Sequence, residues 1–248
     1  MKDKPPHPQC LNIADAVDHC TRGHGIWEWA GTEGLGHAEP DIVLASAGDV
    51  VTVEAVAAAE ILKARLPKLK VRFVNVVDLM TLYRPKDHPH GMSAKEFAET
   101  FTTDVDVVFA FHGYAGAIHQ LVHGRPDADR FRARGFRELG TTTTPFDMVV
   151  RNEVDRYHLV MDCINNSKVK PEGSHELYQW CEAQLARLEE YIVEYLEDIP
   201  EIRGWQLGKF AEQDALIEAD DAQRAKEARR RAAFADGHAA KDRALGLS

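Results

Sequence analysis

Two hydrophobic periods alternate along this chain. Residues 41–47 (Asp-Ile-Val-Leu-Ala-Ser-Ala), 71–77 (Val-Arg-Phe-Val-Asn-Val-Val) and 105–111 (Val-Asp-Val-Val-Phe-Ala-Phe) are near-continuous apolar runs of strand length. Such runs mark strands buried on both faces, as in parallel sheets. Between them the spacing turns helical. Val53, Val56, Ala57, Ile61 and Ala64 set an inward face for a helix over 52–66 that Pro67 ends. Ser93 followed three residues later by Glu96 is a capping box for a short helix over 93–101. A helix is predicted over 115–123. Residues 131–138 alternate polar and apolar, as an edge or antiparallel strand would.

The flanks read as follows. A short helix over 11–20 is capped by Asn12, with Ile13, Ala16, Val17 and Cys20 on one face. Residues 23–30 are a short hydrophobic segment, and 31–40 and 81–92 are loops. A long amphipathic helix over 176–196 carries Leu177, Cys181, Leu185, Leu188, Ile192 and Tyr195, and Pro200 ends it.

Residues 140–148 (Gly-Thr-Thr-Thr-Thr-Pro-Phe-Asp-Met) are the strongest helix start in the chain. Thr144 is the N-cap and Pro145 the first helical residue, where its missing N–H costs nothing; Asp147 stands close to a capping-box position. Val150, Val154, Tyr157, Met161 and Ile164 then form one apolar stripe, read as a single helix. Four threonines exceed what a cap needs. Their hydroxyls either satisfy backbone groups at the helix start or contact a ligand.

Strand–helix alternation of this kind specifies an α/β fold: three layers around a mostly parallel sheet with one antiparallel edge strand, plus a C-terminal helical tail. Three regions are expected, a linker-like 1–39, a domain over 40–206 and a tail over 207–248, the first two as the family resemblance set out below implies. The tail from residue 209 holds eight basic and eight acidic residues and no sustained apolar stripe, so a solvent-exposed helix or disorder is expected there.

Composition narrows the function classes. The 248 residues are 44% hydrophobic, enough for a core, and carry a net charge of −10, all of it in residues 1–208. That charge argues against nucleic acid and against an anionic membrane surface as partners. No window approaches 18 uninterrupted apolar residues, and no secretion signal is visible at the start, so a cytoplasmic protein is expected. Cys10, Cys20, Cys163 and Cys181 show no CxxC spacing and read as reduced, mostly packing residues.

Candidate chemistry sits where strands end, the place at which open α/β sheets bind ligands. Ser46 lies on the exit of one strand, and His112 and Tyr114 on the exit of another; with Thr141, Thr142 and Thr143 they are the candidate ligand or interdomain contacts. The alternative for Ser46-Ala47-Gly48-Asp49 is a plain strand–helix turn. His119 and His123 stand four apart without the Glu of HExxH, and His88 and His90 lack a third ligand. No GxGxxG, GxxxxGK[ST] or GxSxG occurs. No catalytic or metal-binding residue is assigned.

Several of these stretches together resemble one family. Residues 40–50, 74–80, 109–114, 140–148 and 155–158 are similar to the C-terminal domain of xylulose 5-phosphate/fructose 6-phosphate phosphoketolase, a thiamine diphosphate enzyme related to transketolase. Residues 197–205 resemble that family's chain terminus, and 4–9 and 27–30 the segment joining its middle and last domains. The resemblance implies cleavage of xylulose 5-phosphate or fructose 6-phosphate with phosphate, giving acetyl phosphate and an aldose phosphate. It implies that thiamine diphosphate and Mg²⁺ are held by domains absent here, since no GDG with a downstream Asn occurs, so this chain alone binds no cofactor. It also implies that Lys4, in Lys4-Pro5-Pro6, binds the substrate phosphate. The expected partners are the thiamine diphosphate domains or a subunit carrying them. The alternatives are a stand-alone ligand-binding or regulatory module, or a homodimerisation module.

Overall fold

The structure of this chain, a computed structural model, describes residues 8–32, 39–137, 140 and 142–244. It divides into two units, Met1–Asp198 and Ile199–Ser248. The first contains helices α1 (Ile13–Arg22), α2 (Asp49–Arg65), α3 (Ala94–Phe101), α4 (Ala115–Val122), α5 (Pro145–Arg151), α6 (Arg156–Asn166) and α7 (Ser174–Tyr195), and strands β1 (His24–Ile26), β2 (Ile42–Ala47), β3 (Val71–Val76), β4 (Val107–Phe111) and β5 (Phe131–Gly135). The second contains α8 (Pro200–Arg203) and α9 (Phe210–Ala244).

The five strands form one mixed sheet in the order β1-β3-β2-β4-β5. Strands β2 to β5 pair in parallel, and β1 runs antiparallel to β3 with His24 opposite Val76. The antiparallel edge is therefore β1, inside the stretch 23–30 read only as a short hydrophobic segment, and β5 is an edge strand that is parallel. The alternation in β5 comes from its position at the edge, where Arg132 is exposed and Arg134 pairs with Asp162. His-Gly-Ile carries no strand pattern of its own. β1 is followed by Trp27, which stacks on Phe73 of β3 at 5.6 Å between ring centroids.

Helices cover both faces. Val43, Ala45, Val74, Val107, Phe109 and Phe131 point to the face where Phe97 and Phe101 of α3 and Ile118 of α4 complete a core. The alternate residues face α2 and α6, and α7 packs on α6. Helix α2 is buried nearly all round, with Ala55, Ala57, Ala58 and Ala59 at 2% exposure or less. Small side chains let it lie close to both the sheet and α6. Ala64, expected inward, is exposed.

Beneath that packing lies a buried ion pair. Arg156 at the start of α6 donates from Nε and Nη2 to the two carboxylate oxygens of Glu54 on α2, both at 2.8 Å. Burial opposes the charge on Arg156, but the charge and hydrogen bonds of Glu54 outweigh it and raise the guanidinium pKa.

The helix start at Thr144 forms as predicted: its hydroxyl accepts from the Asp147 N–H at 3.3 Å, and Pro145 is the first helical residue. The single helix expected beyond it is instead two. Asn152 closes α5, Glu153 takes φ 55°, and Asp155 caps α6 by accepting from the N–H groups of Tyr157 (2.9 Å) and His158 (3.2 Å). The apolar stripe is continuous because both short helices present it to the same core; an Asp with two amides to accept is a better helix start than a helix interior residue. Pro200 opens α8, and α7 ends earlier, at Tyr195. The tail forms the 35-residue helix α9. Among the described residues no helix is long and apolar enough to cross a membrane.

Candidate functional site

The parallel strands end together. Register sets Ser46 of β2 beside Asn75 of β3, and Ala47 beside Phe111 of β4. The turns that follow bring two polar layers to one end of the sheet.

The inner layer is closed. Ser46 is fully buried and Asn75 nearly so. Asn75 Nδ2 donates to Ser46 Oγ and to Thr52 Oγ1, each at 3.2 Å, and the Thr52 hydroxyl donates onward to the Gly48 carbonyl. With its amide nitrogen committed, Asn75 Oδ1 accepts from His19 Nε2 at 2.8 Å, which places the proton of that buried imidazole on Nε2. The network ties α1, β2, β3 and α2 and leaves Ser46 no capacity for a ligand.

The outer layer is open. Gly48 has φ 111°, and a Cβ there would sit 2.3 Å from Cβ of His112, so only glycine passes this point. The close approach brings His112 Nδ1 to Asp49 Oδ1 at 2.9 Å. Asp49 also accepts from the Val50 N–H at 2.8 Å. That backbone bond, with His112, holds the carboxyl below its ordinary pKa. Asp49 is therefore ionised and is the acceptor of the pair. His112 packs edge-on against Phe136 at 5.0 Å, which fixes the ring, and its Nε2 makes no hydrogen bond among the described residues. Tyr114 is 67% exposed and Val77, just past β3, is 51% exposed. This end of the sheet thus shows an imidazole, a carboxylate, a phenol and an apolar residue to its surroundings.

The threonine segment lies apart from that rim. Thr143 Oγ1 donates to Asp147 Oδ2 at 2.6 Å, and Arg151 Nε donates to the same oxygen at 2.7 Å. Asp147 thus faces a hydroxyl and a guanidinium and does not complete a capping box. Thr142 is exposed and makes no hydrogen bond among the described residues. No contact joins Thr142 or Thr143 to His112 among those residues. Lys4 and Thr141 lie outside the described residues.

Other histidines and cysteines add little chemistry. His119 and His123 line an open groove beside β5, and His90 Nδ1 is bonded to Asp78 at 2.6 Å. Among the described residues no group of three His, Cys, Asp or Glu side chains is placed to hold a metal ion. Cys163 and Cys181 are buried packing residues, and burial pushes the Cys181 thiol up to about 12; Cys10 is half-buried and Cys20 exposed.

Sequence reading missed the Asp49–His112 pair and the roles of Asn75, Thr52 and His19. For Asn75 a signal exists: a lone amide inside Val-Arg-Phe-Val-Asn-Val is a polar group on a strand buried on both faces, and it demands partners. The pairing of Asp49 with His112, 63 residues on, has no local signature.

Residues 4–207 match the family model described as the XFP C-terminal domain. The chain belongs to this family. Its relatives include the "Probable phosphoketolase" of Brucella abortus (strain 2308), 51% identical over 204 residues, with 82% of this chain and 26% of that protein covered. A "Probable phosphoketolase" of Chlorobaculum tepidum is 48% identical with 82% and 26% covered, and "Probable phosphoketolase 2" of a Nostoc species is 49% identical with 82% and 25% covered. This XFP C-terminal domain therefore spans about a quarter of the length of those relatives. Among solved structures, "Transketolase from Leishmania mexicana" aligns at 14% identity and TM-score 0.44, over 64% of this chain and 20% of that one. A "Split gene transketolase, inactive beta4 tetramer" aligns at 18% and 0.36, over 54% and 41%.

The rim of this XFP C-terminal domain does not fit a magnesium diphosphate group. Among the described residues its carboxylates are already engaged, Asp49 by His112 and the Val50 amide, and Asp78, just past β3, by His90 and the Met80 amide.

Proposed function

We propose that this chain serves as the C-terminal domain of a phosphoketolase, docking through its strand-end rim on domains that carry thiamine diphosphate and do the chemistry. The reaction is the cleavage of xylulose 5-phosphate or fructose 6-phosphate with inorganic phosphate to acetyl phosphate, an aldose phosphate and water. The observation that carries this reading is identity of 51% with a probable phosphoketolase over 204 residues, with the family model matching residues 4–207.

Three features of the rim favour docking over catalysis. Val77 and Tyr114 expose apolar surface at a strand end, as an interface residue does. The imidazole of His112 is held by Asp49 and Phe136 with one ring nitrogen left to bond a partner. Ser46, among the expected contacts, is turned inward to Thr52 and so acts as a support. Lys4 is proposed as the substrate-phosphate contact, as a point charge on the segment that would lead from the preceding domain. Thr141 and Thr142 are proposed as further interdomain contacts, and the boundaries 1–39, 40–206 and 207–248 as the linker, domain and tail. A cytoplasmic location accompanies this metabolic role.

Complementation tests the proposal. A relative's phosphoketolase truncated before its C-terminal quarter is mixed with this chain, thiamine diphosphate, Mg²⁺, phosphate and fructose 6-phosphate. Acetyl phosphate formed by the mixture and by neither component alone is the expected result. Association without turnover leaves docking but removes the catalytic assembly; neither association nor turnover removes both.

A further inference from the structure

A second concave site lies at the other end of the sheet, beside the residues that lead into β4 and β5. It is a cavity of about 430 Å³, within the size range of small-molecule sites. Phe97 and Ala98 of α3, with Pro85 and Pro126, make an apolar floor. Its wall holds four cations, Arg84, Lys86, Arg125 and Arg130, against the single carboxylate of Asp127. The chain as a whole carries a net charge of −10, so this concentration of positive charge runs against its background.

Two of the guanidiniums are structural and immovable. Arg130 is 7% exposed; its Nη1 donates to the carbonyls of Phe101 (2.7 Å) and Val105 (2.6 Å), and Nη2 to that of Thr102 (2.7 Å). Arg125 is 6% exposed, donates to the carbonyls of Leu82 (3.0 Å) and Met92 (2.9 Å), and lies 4.1 Å over the Phe97 ring. Neutral carbonyls orient these cations without cancelling their charge. Nε of Arg130 is a buried donor with no partner among the described residues. An orphaned donor on a charged group calls for an acceptor. Arg84 is held by Asp87 (2.6 Å) and by the Gly124 carbonyl (2.8 Å). Lys86 at the rim is exposed and in no hydrogen bond or ion pair among the described residues. Desolvation lowers the pKa of both Arg125 and Arg130, and the carboxylates nearby, Asp87 and Glu96 for the first and Asp127, Asp106 and Asp104 for the second, offset only part of it.

From these features we infer that the cavity is a binding site for a small amphipathic anion, an aromatic or branched apolar body bearing one carboxylate, sulfonate or phosphate. The body occupies the Phe97–Ala98 floor, where a water-filled cavity would be poorly hydrated. The anion meets Lys86 at the rim, with the two buried guanidiniums adding positive charge from behind the lining. A neutral apolar molecule would leave the cations unmatched, and a fully hydrated ion such as free phosphate would leave the floor uncovered. The site is separate from the rim proposed for docking, and its occupation does not require the chain to be part of a phosphoketolase.

The test uses the full chain and two dyes of like shape, 8-anilinonaphthalene-1-sulfonate and the neutral N-phenyl-1-naphthylamine. The sulfonate is expected to bind at one site per chain with saturable fluorescence, at least tenfold more tightly than the neutral dye. Lys86→Glu, on an exposed side chain outside any contact, should weaken it at least fivefold. Ala98→Trp should abolish it by filling the floor, with circular dichroism checking the fold; Val193→Ser on α7 should change nothing. Equal binding of the two dyes, no saturable site, or binding indifferent to Lys86→Glu would each overturn the inference.

Discussion

The strand-end residues of this domain form two polar layers of similar composition and opposite character. The inner one, His19, Asn75, Ser46 and Thr52, contains an imidazole, an amide and two hydroxyls, and its hydrogen bonds run among its own members. The outer one, Asp49, His112 and Tyr114, contains an imidazole, a carboxylate and a phenol, of which only the Asp49–His112 pair is internally bonded among the described residues. Residue type therefore says little about role here. What separates structure from function is whether a polar group's capacity is used up inside the domain.

Substitutions that strike the closed, buried polar contacts should cost most. Glu54→Gln leaves the buried Arg156 guanidinium without its counter-charge and should lower unfolding free energy by about 3–5 kcal/mol in urea titrations. A loss under about 1 kcal/mol would mean that Arg156 is compensated elsewhere. Asn75→Ala strips donors and an acceptor from the buried His19 and Ser46 and the half-buried Thr52 and should cost about 1–3 kcal/mol. In the outer layer, His112→Ala should change stability by no more than about 1 kcal/mol, because a half-exposed pair contributes little. The same variant should weaken association with the thiamine diphosphate domains at least tenfold, about 1.4 kcal/mol. Thr142→Ala should leave stability within about 0.5 kcal/mol of wild type. If Asn75→Ala proved as mild as His112→Ala, the distinction between layers would fail.

A further contrast is in pH dependence. Burial pulls the His158 pKa down, but its hydrogen bond to Asp155 and the charges of Asp155 and Glu153 outweigh that and hold it above the ordinary 6.5. A raised histidine stabilises the fold fully below about 6.5 and loses that contribution as pH rises through the folded-state value. Wild type should therefore exceed His158→Gln in stability at pH 5.5, with the gap narrowing toward pH 8.5, as read by thermal unfolding. A gap that widens with pH would reverse the sign.

Much of this fold was legible in the chain. The runs at 41–47, 71–77 and 105–111 could be little else than buried parallel strands, and Thr144-Pro145 specified a helix start that formed as read. The misreadings share a cause: tertiary context overrode local pattern. His24-Gly25-Ile26 becomes a strand only because β3 offers it an edge. The helix break at 152–155 was hidden because α5 and α6 feed one core, so their apolar stripe never loses its period. The candidate site was half legible. His112 and Tyr114 were found from their place after a strand, whereas the Asp49–His112 bond depends on Gly48 letting two loops approach, which a pattern does not encode.

The central claim is that the open layer, and not the closed one, meets the partner. Amide hydrogen exchange of this chain, alone and with the truncated phosphoketolase, tests it directly. The account predicts new protection at residues 48–50, 77 and 112–114, while the already slow amides of Ser46 and Asn75 stay unchanged. Protection confined to the α7 surface, with the turns after β2, β3 and β4 exchanging as before, would contradict it.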